Sequence, residues 1–269
     1  LIATVNTFAL GIAYQGTRYH GWQYQSESTP TIQLALQTAL TVVADESVQV
    51  TCAGRTDTGV HATKQVVNLH TTKQRSEKAW VMGTNAHLPD DVSVVWARPV
   101  PTDFNARHSA VARRYCYVVY TSPVRSALLP GMYTRDPRRL DAEAMHEAGQ
   151  ALLGENDFTS FRASSCQSRT AMRNVHHIKV TRRGELIVID IEANAFLHHM
   201  VRNIAGVLLD IGAGVYPIGW TAELLALSDR TKGSVTAPPH GLYLVDVIYP
   251  DEPQIPIGAA LPHFMEGLL

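Results

Sequence analysis

The sequence predicts an α+β protein built from two ferredoxin-like β-α-β-β-α-β units, and three observations carry that reading. Short segments with period-two alternation are interleaved with longer segments of helical period, in the order β-α-β-β-α-β. The same order then recurs in the second half of the chain. Between the copies, Pro99-Val100-Pro101 interrupts both patterns, so we expect domains at 1–103 and 104–269. Joined edge to edge, such units form one mainly antiparallel sheet that covers strand edges, with helices on one face and a cleft on the other.

Each element has its own signature. FALGIAY (8–14) alternates Phe8, Leu10, Ile12 and Tyr14 on one face. In TPTIQLALQTALTVVA, Thr29 is the expected cap, Pro30 fits the first helical position, and Ile32, Leu36, Leu40 and Val43 recur at helical spacing. VQVTC (48–52) and KQVVNLHT (64–71) read as strands, joined by the loop that holds AGRTDTGVHA. A helix capped at Ser76 and carrying Trp80 precedes the strand DVSVVWA. In the second copy SAVARRYCYVVY (109–120) is a strand, and DAEAMHEAGQALL starts at an Asp141 cap and ends at Gly154. VHHIKVTR and ELIVIDIEA flank Arg183-Gly184 as a hairpin. LHHMVRNIAGVLLDIG is a helix with Leu197, Val201, Ile204, Leu208 and Ile211 on one stripe. A shorter helix starts at Thr221, and LYLVDVIY (242–249) closes the pattern.

Composition narrows the functional classes. The 269 residues are 45% hydrophobic and 17% charged, which excludes a disordered chain. No apolar run reaches the roughly 18 residues of a membrane span, and LIATVNTFALGIAYQG lacks the basic flank and cleavage site of a signal peptide; the cytoplasm is the expected compartment. Cys52, Cys116 and Cys166 are widely separated, with no Cys-x-x-Cys pair, so they read as reduced packing residues. The formal net charge of -1 hides an uneven distribution: Arg107 to Arg183 holds 13 Lys and Arg against 6 Asp and Glu, and twelve of the cations are arginine. The planar guanidinium fork suits phosphate, so this stretch points to a polyanionic partner as readily as to a solvated surface.

Asp57 lies in a Gly- and Thr-rich connection, where an Asx-turn is the plain reading. Arg55, Gly59 and His61 open a second: a carboxylate kept ionised beside a cation and available as nucleophile or base. A phosphate loop is excluded, because Gly-x-x-x-x-Gly-Lys-[Ser/Thr] is missing and the loop leads into a strand. ARRYCYVVY places Arg114 and Cys116 on one face and Arg113, Tyr115 and Tyr117 on the other, an aromatic among arginines as used to stack an unpaired base. His198-His199, read as helical, and His176-His177, on a strand, lack metal-ligand spacing, so no metal is expected. Arg202 sits in an otherwise apolar helix, where a buried cation needs a carboxylate or phosphate partner.

GRTDTGVHA (54–62), FNARHSAVARRYCYVVY (104–120), ENDFTSFRA (155–163), QSRTAMRNV (167–175), NAFLHHMVRNIAGVLLDIG (194–212) and GLYL (241–244) together resemble the TruA family of tRNA pseudouridine synthases. The resemblance implies cofactor-free isomerisation of uridine to pseudouridine at positions 38, 39 and 40 of the tRNA anticodon stem-loop, by a homodimer whose clefts hold RNA. It places Asp57 on the essential aspartate, Arg202 on the arginine that pairs with it and Tyr115 on the tyrosine beside the target base. Arg55 falls on the arginine associated with base flipping, and Leu242 in the strand that lines the uracil pocket. Arg113, Arg114, Arg162 and Arg169 are the further RNA contacts expected. One departure is Tyr14-Gln15-Gly16, where family members commonly carry Tyr-Asp-Gly. Against this stand a non-catalytic RNA-binding protein, which gives Asp57 no task, and a metal-assisted hydrolase, whose ligand spacing is missing.

Overall fold

The computed structural model describes residues 5–250 and 255–266. It is a mixed α and β structure with mostly antiparallel strands; the β-α-β-β-α-β order holds in the first half of the chain and recurs in the second with two short strands and one short helix added. Two compact units result, one from the described residues of Leu1–Val111 and Leu244–Ala260, the other from those of Ala112–Tyr243 and Leu261–Leu269.

In the first unit β1 (Asn6–Tyr14) lies between β3 (His61–Thr71) and β4 (Val92–Val100), antiparallel to both. The short β2 (Val50–Cys52) pairs with the Val67–Leu69 stretch of β3. Helix α1 (Ile32–Ala44) buries Ile32, Leu36 and Leu40, as its period predicts. Its cap is Thr31 rather than Thr29: the Thr31 hydroxyl accepts from Leu34 N at 3.3 Å, and Pro30 stays outside the helix. The Ser76 hydroxyl caps the next helical segment by accepting from Ala79 N, and a π-helical stretch, Ala79–Gly83, brings the buried Trp80 onto Phe8 with ring centroids 5.5 Å apart.

The last strand, β10 (Leu242–Ile248), adds to β3, so the described residues of Leu244–Ala260 belong to the first unit. That unit is therefore discontinuous, and the compact units divide after Val111, Tyr243 and Ala260 where the sequence pattern places a single boundary at 103. A buried ion pair also links the two strands. Lys64 Nζ donates at 2.6 Å to Asp246 Oδ1 and at 2.6 Å to Gly258 O, with both side chains buried.

The second unit has the strand order β5-β9-β8-β7, from β5 (Ala112–Tyr120), β9 (Leu186–Ala193), β8 (Met172–Arg183) and β7 (Gly154–Asp157). A two-residue strand, β6 (Thr134–Arg135), runs parallel to β5. Register puts Tyr115 opposite Ile191 and Ile191 opposite Ile178, so these side chains share one face. Helix α2 (Ala142–Gln150) packs on that face, with Gly149 against the Ile178 side chain, and α3 (Met200–Gly212) packs on α2 and β5. A short α4 (Trp220–Leu227) follows.

Three boundaries differ from the sequence pattern. The hairpin turns at Gly184-Glu185 with Arg183 still paired to Leu186, one residue later than expected. Helix α2 ends at Gln150, short of Gly154. Helix α3 begins at Met200, so His198 and His199 precede it, and His199 is its N-cap at φ 61°.

Candidate active site

The Asp57 loop is held from beneath by its own unit. The Gln65 side chain, fully buried on β3, closes on Gly54 from both sides, accepting from Gly54 N at 3.2 Å and donating to Gly54 O at 2.5 Å. Thr56 is buried, its hydroxyl 2.7 Å from the Tyr14 hydroxyl, and its carbonyl accepts from Trp22 N at 3.0 Å. Val60 N donates to Asp57 O at 3.1 Å with Gly59 at φ 79°, the signature of a type II turn. Gly21 permits the packing: at φ 85°, any Cβ there would lie 2.8 Å from Thr56 O. Asp57 is thereby half-buried on a backbone fixed at both sides, and Arg55 is exposed two residues earlier.

His61 closes this loop at its carboxyl end. It is the first residue of β3, 1% exposed, and its Nδ1 accepts from Gly16 N at 3.1 Å. An acceptor Nδ1 carries no proton, so this ring anchors the loop at Gly16.

In the second unit Tyr115 is 8% exposed on β5, its ring edge-on to Phe196 at 5.1 Å. Arg114, one residue earlier, is committed to a bidentate pair with Asp190, Nε to Oδ1 at 2.7 Å and Nη2 to Oδ2 at 2.6 Å. Hydrogen bonding to Asp190 holds the Arg114 guanidinium well above its ordinary value, and His177 Nε2 meets the same carboxylate at 2.9 Å. Arg113 Nη1 donates to Asn194 O at 3.3 Å. Arg162 Nη2 donates to Cys166 O and Ser168 O at 2.7 Å each, drawing in the loop that carries the exposed Arg169.

Cys166 is only half-buried, unlike Cys52 and Cys116. Burial pushes its thiol up, but backbone N–H groups of Ser168 and His198 and the Arg162 guanidinium outweigh this, and the net direction is down. The paired histidines have protein partners: His198 Nδ1 lies 3.0 Å from the Ser165 hydroxyl, and His176 Nδ1 3.3 Å from Glu192 Oε1.

Arg202, half-buried on α3, donates from Nε to Ala237 O at 2.8 Å, and Ala237 N donates back to Arg202 O at 3.1 Å. Leu242, buried, opens β10. Tyr117 lies two residues beyond Tyr115 on the same face of β5, its hydroxyl donating to Pro238 O at 2.9 Å, so β5 is tied to the segment that holds Arg202. Sequence reasoning missed Phe196, Ala237 and Asn203; only Asn203 left a signal, as a second polar residue beside Arg202 in an apolar helix.

Residues 11–109 and 148–250 match the family model described as tRNA pseudouridine synthase. The chain belongs to that family. Similarity to curated members runs nearly end to end: 54% identity to tRNA pseudouridine synthase A of Pseudomonas aeruginosa, over 99% of this chain and 93% of that one. The Pasteurella multocida enzyme of the same name is 55% identical over 97% and 98% of the two chains, and that of Haemophilus influenzae strain 86-028NP 55% over 97% of each. Among solved structures, a chain of a Cbf5-Nop10-Gar1 complex aligns with TM-score 0.33 at 11% identity, over 88% of this chain and 48% of that one. The protein is therefore an isomerase that converts uridine to pseudouridine in tRNA. Among the described residues, no helix is long and apolar enough to cross a membrane.

Proposed function

We infer that the enzyme acts on uridines 38, 39 and 40 of the anticodon stem-loop, that Asp57 is its essential carboxylate, and that the reaction proceeds without a cofactor. The observation that carries the assignment of Asp57 is the clamped loop: Thr56 and Val60 fix the backbone on either side of a half-buried carboxylate, the pre-organisation that a reacting group needs. Cleaving an N-glycosidic bond and forming a C-glycosidic one leaves the oxidation state unchanged, so no redox partner enters. The target base leaves the stack at a cost of a few kcal/mol, offset by Arg55 entering the vacated space and by aromatic contact with Tyr115. Asp57 then displaces uracil at the sugar C1′, adds at the uracil C6, or removes the 2′ proton to give a glycal; the uracil turns and bonds through C5 as the carboxylate is released or the 2′ proton returned, and N1 gains a proton while the C5 proton is lost. Tyr115 is the candidate base for that last proton.

Arg202 keeps the essential carboxylate ionised in this reading, and Leu242 lines the uracil pocket. Arg113 and Arg169 are the phosphate contacts. Arg114 and Arg162, whose donors go to Asp190 and to loop carbonyls, shape the surface around them. A cytoplasmic homodimer that shares one tRNA between subunits completes the proposal.

The test is pseudouridine formation in an unmodified tRNA with uridine at 38 to 40, beside the same tRNA with those positions changed to cytidine. The native chain is expected to modify only the first, and Asp57→Asn to bind it while losing at least about 10⁴-fold in rate. Modification of the cytidine-substituted tRNA would remove the anticodon assignment, and turnover by Asp57→Asn the assignment of the carboxylate.

A further inference from the structure

Helix α3 carries a run of polar and small residues on one side, Arg202, Asn203 and Gly206, each meeting the same stretch of chain, 230–237. Ala237 exchanges two hydrogen bonds with Arg202, one of them to the guanidinium Nε. The Asn203 side chain, 2% exposed, accepts at Oδ1 from Thr236 Oγ1 at 2.7 Å and from Arg230 Nη2 at 3.0 Å. Its Nδ2 donates to Phe161 O at 2.8 Å. Arg230 Nη2 also reaches Thr236 Oγ1 at 3.0 Å. At Gly206 a Cβ would stand 2.2 Å from Val235 O, so only glycine lets the segment lie this close to the helix.

The use of Arg230 is the unusual part. Burial lowers its pKa, yet among the described residues its side chain meets an amide oxygen and a hydroxyl, with no carboxylate. A half-buried cation on neutral acceptors is a poor source of stability. Its geometric effect is definite: it joins Thr236 to Asn203, and Thr236 immediately precedes the residue whose carbonyl holds Arg202.

We propose that Asn203, Arg230 and Thr236 are positioning residues for Arg202, acting through the Ala237 carbonyl to set the guanidinium in its working orientation. The proposal rests on the role given to Arg202 above. It concerns chemistry rather than tRNA affinity, because a guanidinium swung off its carbonyl keeps its charge and loses its direction.

The experiment uses the full chain and the unmodified tRNA, reading single-turnover rate at saturating enzyme, tRNA Kd and melting temperature for Thr236→Val, Asn203→Ala, Arg230→Ala and Arg202→Ala. The three network variants are expected to lower the rate about 10- to 100-fold with Kd within about twofold of the parent. Placed in the Arg202→Ala background, they should lower it no further. Thr236→Val loses only a hydroxyl and so carries the test if Asn203→Ala does not fold, and Thr236→Ser should restore the rate. Unchanged rates in the network variants beside a crippled Arg202→Ala would overturn the positioning role alone, as would losses that persist undiminished in the Arg202→Ala background. A silent Arg202→Ala would overturn the role of Arg202 itself, and the positioning proposal with it.

Discussion

At the scale of single residues, two carboxylates of the molecule are held in different ways. Asp57 sits on a turn whose neighbours are buried and bonded, whereas Glu46 shows a carboxylate used only as a clasp. It accepts from the hydroxyls of Thr71 and Thr72 and from Thr72 N. Those bonds, the Thr71 hydroxyl first, hold its pKa down to about 2 from an ordinary 4.5. A carboxyl whose pKa is depressed by folding contributes stability that is complete above the unfolded value and lost as pH falls through the folded one. The stability advantage of the native chain over Glu46→Gln should therefore be constant above about pH 4.5 and vanish on approach to pH 2, as urea melts at stepped pH would show. A constant difference across that range would sink the assignment. Asp57 was legible as a candidate from its loop and its neighbours Arg55 and Gly59. The clasp of Gln65 on Gly54 was not, because a side chain reaching eleven residues back leaves no periodic trace.

At the scale of elements, what the pattern resolved and what it missed have one physical origin. A strand with one buried face, such as β4, announces itself by alternation, whereas β1 and β9 are buried on nearly every residue and read as apolar runs. The strands β6 and β7, with two and four residues, are too short to alternate and exist because β5 and β8 supply partners. Apolar spacing extended α3 back to Leu197, but His199 at φ 61° starts the helix at Met200, since backbone conformation and not hydrophobicity sets a cap. The bond between β3 and β10 is an element-level device too. Lys64→Met, which strands Asp246 in a buried site, should cost about 3–5 kcal/mol in chemical denaturation, and adding Asp246→Leu should recover most of it. Equal loss in single and double variants would show that packing, not the pair, matters there.

At the scale of the whole molecule, a net charge of -1 coexists with a second-unit stretch rich in arginine. Two of those arginines are internally neutralised, Arg114 by Asp190 and Arg138 by Asp136 and Asp210. The number left for phosphate is therefore smaller than the sequence count implies. Salt titration of tRNA binding measures it: Arg113→Ala and Arg169→Ala should each flatten the log Kd against log salt plot by about one unit, and Arg114→Ala should not. A loss of slope in Arg114→Ala would return that residue to the phosphate contacts.

The late arrival of β10 sets a timetable for biogenesis. Lys64 and Asp246 are 182 residues apart, which at translation speeds amounts to on the order of ten seconds or more. Throughout that interval the edge of β3 that β10 will occupy is open and an ammonium destined for burial has no counterion. The nascent amino-terminal segment is thus expected to stay incompletely folded until the carboxyl-terminal segment emerges. A fragment of residues 1–111 should remain molten or aggregate, and a peptide spanning 244–260 supplied in trans should convert it to a cooperatively melting species. A fragment that folds cooperatively alone would mean that β10 arrives to decorate a finished sheet.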